Sequence, residues 1–208
     1  LESLDSVRNL LSIYTNNSLV SLDGPEGLTY IGGALNLGSY EGGNPVLADI
    51  SALGNLTYIG WGLQIYQNHG LDNLVGLEGI TAIHSDLLIW DNYSLNHLTG
   101  LDNLAFVSGD CVVQENYWLE DMAGLDSLAW IGGNMDIFNN HFLYDISALS
   151  SLEHIGGRLA IGGNDYLPDL AGLNGFNTIG GDLRIINNDL LANLSGIDNL
   201  THVGGEIA

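Results

Sequence analysis

A 24-residue period runs through the whole chain. Leu56, Ile80, Leu104, Leu128, Leu152, Phe176 and Leu200 follow one another at that interval, and each opens the same apolar pattern. With the opening residue at position 0, apolar side chains return at +3, +7, +9, +15, +18 and +21; one coil reads Leu152, Ile155, Leu159, Ile161, Leu167, Leu170, Leu173. Leu4 and Leu28 are also 24 apart. The gap from Leu28 to Leu56 is 28, because four extra residues enter near 38–43, after which Asn44, Leu47, Ile50 and Leu53 are back in register. Of the 56 such positions in eight coils, only Pro25 is neither aliphatic nor Phe, Met or Cys. A period this regular marks stacked units, each too small to bury its apolar face alone.

The unit is made of strands. Leu63-x-Ile65 and Leu183-x-Ile185 alternate with the period of two expected when every other side chain points inward. Glycine pairs at 32–33, 132–133, 156–157, 180–181 and 204–205 occupy +4 and +5. They predict a sharp corner at positive φ and leave no room for a helix. The expected fold is all-β: one parallel β-helix, or β-solenoid, over residues 1–208. About eight and a half coils rising ~4.8 Å each make a rod roughly 40 Å long.

Position +12 is asparagine in every complete coil: Asn16, Asn44, Asn68, Asn92, Asn116, Asn140, Asn164 and Asn188. A buried corner leaves main-chain polar groups without water, and an inward carboxamide can satisfy them in its own and adjacent coils. The column reads as a structural ladder, with Asn16 and Asn92 inaccessible inside it.

Charge narrows the partners. The chain carries 25 carboxylates against Arg8, Arg158 and Arg184, with no lysine, for a net charge of −22. Nucleic acid and anionic lipid surfaces would be repelled. No apolar run approaches the ~20 residues of a membrane-spanning helix, so no membrane insertion is expected. The lone Cys111 excludes an intrachain disulfide, and its +7 position reads as a buried, inert thiol.

The motif Leu-x-x-Ile-Gly-Gly-x-Leu-x-Ile-x-x-Asn-x-x-Leu-x-x-Leu, clearest over 152–170, resembles the receptor L-domain family. It is closest to fungal cell-wall and microbial surface proteins with the same Ile-Gly-Gly repeats. The resemblance covers the whole chain and implies a right-handed, leucine-rich β-helix outside the cell. It departs from the animal receptors in lacking their cysteine-rich modules and capping disulfides, so their ligand binding is not carried over. The role expected is a non-enzymatic extracellular surface or matrix protein, structural or adhesive, and in one form a filament-forming glycoprotein subunit. Partners would be proteins, glycans or copies of the chain end to end. The chain starts at Leu1, a +21 position, and stops just past Ile207 at +7, with no polar cap. That predicts ends covered by further coils or by a neighbouring subunit.

Only one of the 17 aromatic residues, Phe176, falls in a core column. Tyr14, Tyr66, Trp90 and Phe138 share +10; Tyr30, Tyr58, Phe106 and Trp130 share +2; Tyr93, Tyr117, Trp118, Phe142 and Tyr166 fall at +13 and +14. Stacking turns each column into a stripe. The expectation is a contact surface for partners or sugar rings, carried by Tyr14, Tyr66, Trp90, Phe138, Tyr117, Trp118 and Phe142, which opens the alternative of a carbohydrate-binding module. The competing reading is a second packing layer under loops. An ice-binding array would need an unbroken threonine file, and Thr29, Thr57, Thr81 and Thr201 are too interrupted.

Position +17 carries Asp49, Asn73, His97, Asp121, Asp145, Asp169 and Asn193. Carboxylates one coil apart approach the spacing of a glycosidase pair. The repetition is better explained by Asx bonding to the backbone. Calcium at Asp121, Asp145 and Asp169 is the one cofactor the pattern suggests. No zinc cluster is expected, because His69 and His141, or His154 and His202, lie coils apart. Without lysine, and with scattered arginine, lyase chemistry is not expected. Sequons occur at Asn16, Asn55, Asn92, Asn193 and Asn199; the turn positions Asn55, Asn193 and Asn199 are the candidates for glycans.

Overall fold

A computed structural model describes residues 1–208 and is a parallel β-solenoid of about eight 24-residue coils. Each coil carries two short strands, numbered here in chain order. The first of each pair is two residues long: β1 (Ser6–Val7), β3 (Tyr30–Ile31), β5 (Tyr58–Ile59), β7 (Ala82–Ile83), β9 (Phe106–Val107), β11 (Trp130–Ile131), β13 (His154–Ile155), β15 (Thr178–Ile179) and β17 (His202–Val203). The second is longer: β2 (Leu11–Ile13), β4 (Leu35–Leu37), β6 (Leu63–Tyr66), β8 (Leu87–Trp90), β10 (Cys111–Gln114), β12 (Met135–Phe138), β14 (Leu159–Gly162) and β16 (Leu183–Ile186). The even-numbered strands form one eight-stranded sheet, β2 to β16 in order. Register is the repeat itself: Cys111 pairs with Leu87 on one side and Met135 on the other, and Val113 with Ile89 and Ile137. The odd-numbered strands form a second face, split into β1-β3-β5 and β7 to β17. The split lies beside Trp61, which is 65% exposed.

The third side has no strand. Two coils cross it through short 3-10 turns, Ser51–Leu53 and Ser147–Ser151. Others use a glycine at +20, where Gly76, Gly100, Gly124, Gly172 and Gly196 have φ between 107° and 116°. The +15, +18 and +21 leucines from this side meet the inward residues of both sheet faces in one core of 47 buried residues. The first and last coils are covered from one side only, so Leu4, Leu11, Leu191 and Leu200 are partly buried.

The glycine pairs are not the positive-φ corner that the sequence suggests. None of them has a φ in that range. Their reason is proximity: a Cβ on Gly156 would run into the carbonyl oxygen of Gly132 one coil away, and one on Gly180 into that of Gly156. The left-handed corner sits at +11, immediately before the asparagine column. Thr15, Gln67, Asp91, Glu115, Asn139 and Asn187 hold φ of 53° to 58° there, with Gly163 at 66°. Each such non-glycine residue costs about 1 kcal/mol or more. The main chain still pairs through that turn: Asp91 N–H donates to the Gln114 carbonyl (3.0 Å) and Glu115 N–H to that of Phe138 (2.9 Å).

The four extra residues make a small hairpin. Ser39 and Gly42 exchange main-chain hydrogen bonds of 3.1 Å, and Tyr40 stands at the tip.

Candidate functional site

The asparagine column is a continuous hydrogen-bonded ladder. Asn116 Oδ1 accepts the main-chain N–H of Asn92 (3.1 Å) and its Nδ2–H (3.2 Å). Asn116 Nδ2 donates to the carbonyls of Ile89 (3.0 Å) and Gln114 (3.1 Å). The linkage runs from Asn16 through Asn44, Asn68, Asn92, Asn116, Asn140 and Asn164 to Asn188. The six inner asparagines are fully buried. Asn16 is exposed, contrary to the expectation that it is inaccessible, because its coil is covered on one side only; Asn188 is half-buried.

A second side-chain ladder was not anticipated. At +6, Asp86 Oδ1 accepts the N–H of Asp110 (2.8 Å), Asp110 that of Asn134 (2.7 Å), Asn134 that of Arg158 (2.8 Å) and Asp182 that of Glu206 (3.0 Å). The recurrence of Asp or Asn at that position was the available signal. The bond from Glu206 N–H, assisted by Arg184, holds the Asp182 carboxyl below its usual range. Arg158 forms a fork on Asp136, with Nε–Oδ1 at 3.1 Å and Nη2–Oδ2 at 2.6 Å.

The +17 residues act as Asx turns. Asp49, Asn73, Asp121, Asp145, Asp169 and Asn193 each accept the N–H two residues on, at 2.7 to 2.9 Å. Hydrogen bonds from the Ser51 hydroxyl and N–H lower the pKa of Asp49. No group of three or more His, Cys, Asp or Glu side chains that could hold a metal ion occurs, at Asp121, Asp145 and Asp169 or elsewhere. The inner oxygens of these three aspartates serve the turns, and Asp121 also meets His97 Nδ1 at 2.9 Å.

The +10 aromatics divide. Tyr66 is 2% exposed and is not a contact residue. The hairpin folds over it: the Tyr40 ring lies 5.0 Å from Tyr66 and 5.1 Å from Trp90, and Tyr66 lies 5.6 Å from Trp90. These three rings are a second packing layer, half-burying Trp90 and leaving its indole N–H without a hydrogen-bond acceptor. Phe138 is half-buried against Gly162, where a Cβ would collide with its ring. Tyr14 remains exposed at the first coil.

The +13 and +14 aromatics form a different surface. Tyr93, Tyr117 and His141 stack in one file, with centroids 5.3 and 5.2 Å apart. Trp118, Phe142 and Tyr166 stack in the next, 4.4 and 5.1 Å apart. The files meet edge to face, Tyr117 to Trp118 at 5.5 Å and 81°. At most of these separations the rings are slid past one another like shingles, so part of each face stays uncovered. Tyr93, Tyr117, Trp118 and Tyr166 are between 37% and 48% exposed. Asp165 follows His141 in the same file, with its Oδ2 beside His141 Nδ1. On the second sheet face, Tyr30 stacks on Tyr58 at 4.9 Å, with His84 tilted against Tyr58 at 5.5 Å, and Trp130 stacks on His154 at 3.6 Å.

Along the same edge, toward the first coils, lies a polar depression of about 380 Å³ with no hydrophobic lining residue. Thr15, Asn17, Glu41, Pro45, Gln67 and His69 form it. His69 precedes Tyr93 in the +13 file and its Nδ1 accepts the Tyr93 N–H at 3.4 Å.

Cys111 is fully buried, and burial pushes its thiol pKa up to about 12. Among the sequons, Asn92 is buried. Asn55 and Asn199 are exposed, with their Nδ2 donating to the carbonyls of Glu26 (2.7 Å) and Asn174 (2.9 Å). Asn193 is exposed and uses only its oxygen, toward Ser195.

Comparison with protein-family models, with curated proteins and with solved structures finds no match.

Proposed function

We propose that this chain is a non-enzymatic adhesive protein of the cell surface or extracellular matrix, whose contact face is the aromatic shelf. The observation that carries the reading is the shelf itself. Tyr93, Tyr117, Trp118, His141, Phe142 and Tyr166 form an ordered, partly uncovered aromatic surface on a polar exterior. Exposed aromatic patches of this kind are contact surfaces. The rigid ladder behind them keeps the rings in place without partner-induced ordering. The charge of −22 disfavours nucleic acid and anionic lipid and leaves uncharged or cationic partners. The Ile-Gly-Gly coils support a place beside the receptor L-domain proteins, and with it a location outside the cell.

The test is retention on surfaces coated with polysaccharides, with matrix proteins or with the protein itself. The Tyr117→Ala/Trp118→Ala variant should be washed off a surface that holds the wild type. Equal retention of both would remove the shelf from the account. A second reading, a carbohydrate-binding module, is favoured by the polar depression in line with the rings.

A further inference from the structure

The shelf and the depression belong to one edge. The +13 file runs Asn17, Pro45, His69, Tyr93, Tyr117, His141, Asp165 and Asp189, one residue per coil. At ~4.8 Å per coil, the strip from Asn17 to Asp165 is roughly 30 Å long. Its two halves differ in chemistry. The half from Tyr93 to Tyr166 presents aromatic surface, and the half from Thr15 to His69 presents hydroxyl, amide and imidazole groups with one carboxylate, Glu41.

This arrangement selects among partners. An anionic polymer finds no cation on the strip: Arg158 and Arg184 are paired with Asp136 and Asp182 on the +6 and +8 columns, and Arg8 is at +4. A cationic partner needs acceptors alone, whereas the amides of Asn17 and Gln67 also donate. Two of the carboxylates nearest the rings are already engaged, Asp165 with His141 and Glu115 with the Gln114 amide (2.9 Å). Groups that both donate and accept, beside partly bare aromatic faces, match a ligand with hydroxyls on its rim and C–H groups on its faces. That is the chemistry of a neutral pyranose chain.

We propose that an uncharged polysaccharide lies lengthwise along this edge, with sugar faces on the Trp118–Tyr117 shelf and hydroxyls in the depression around Asn17, Gln67 and His69. The assignment rests on the adhesive reading and names its ligand class. The strip is open at both ends and along its side, so internal stretches of a long chain are bound as readily as chain ends.

Isothermal titration of the intact protein with neutral oligosaccharides of glucose, mannose and N-acetylglucosamine, at low and high salt, tests it. Dextran sulfate and polylysine serve as charged comparators. The expected result is binding of a neutral oligosaccharide with little salt dependence. Trp118→Ala should weaken it about tenfold and Asn17→Ala severalfold, which are the scales of one lost ring contact and one lost hydrogen bond. Both positions are exposed, and an unchanged melting temperature verifies folding. If no neutral sugar binds while Trp118-dependent adhesion to a protein surface persists, the ligand assignment is wrong and the adhesive reading stands. Salt-sensitive polylysine binding in place of sugar binding overturns the assignment in favour of a cationic partner. Absence of both sugar binding and adhesion ends both readings.

Discussion

Asn116 Oδ1 accepts the main-chain N–H of Asn92, one full coil away, at 3.1 Å, while its own Nδ2 serves carbonyls of both coils. One side chain thus satisfies groups on two coils at a corner that water does not reach. Asn116→Ala should lower stability by about 1–3 kcal/mol, the cost of leaving buried polar groups unpaired. Hydrogen exchange should show the Asn92 amide losing its protection. Unchanged stability in chemical denaturation would contradict the ladder.

Gly156 is held by lack of space rather than by φ. Gly156→Ala should therefore destabilise the rod by about 1–3 kcal/mol as the coil shifts to admit the methyl group. Gly54→Ala, where a Cβ would sit 3.2 Å from the Ser51 carbonyl oxygen, should cost much less. Thermal melts of the two variants make the comparison.

Alkaline pH should weaken the fold. Cys111 titrates near 12 when folded, against about 8.5 for an unfolded thiol. Its stabilising contribution is therefore complete below about pH 8.5 and is lost as pH climbs toward 12. Burial raises the Tyr66 phenol in the same direction, helped by its hydrogen bond with Tyr40. Cys111→Val should flatten part of the alkaline limb of a denaturation-versus-pH curve. Ellman's reagent should label Cys111 only in denaturant.

Expression through a eukaryotic secretory pathway should place glycan on Asn193 first, since its Nδ2 is free. Asn55 and Asn199 must share their amide with a backbone carbonyl. Peptide mapping should find Asn92 unmodified, and substantial occupancy there would mean that the corner is open.

The fold was legible because the repeat is nearly perfect: the columns that hold apolar residues are the columns that point inward. The Asn ladder was legible for the same reason, since asparagine in every coil at a buried corner has few other uses. The corner itself was misplaced. Glycine pairs look like positive-φ turns, but glycine serves two purposes, and only the stacked coils show that Gly156 is pressed against Gly132. The true left-handed turn at +11 carries Thr, Gln, Asp, Glu and Asn, a mixture without a single-residue signature. Tyr66 was misjudged because a column predicts direction and not cover. The hairpin that buries it comes from residues 38–43, outside the period. No comparable insertion folds over Tyr117 or Trp118, which stay exposed.

The most direct test is to measure stability and adhesion together on one variant, Tyr117→Ser/Trp118→Ser. If the shelf is a contact face, the melting temperature stays within a few degrees of the wild type, as for other surface substitutions, while adhesion to the wild type's preferred surface falls by about tenfold or more. A large drop in melting temperature with adhesion intact would show that the rings are only a packing layer, as Tyr66 and Trp90 are, and would contradict the account.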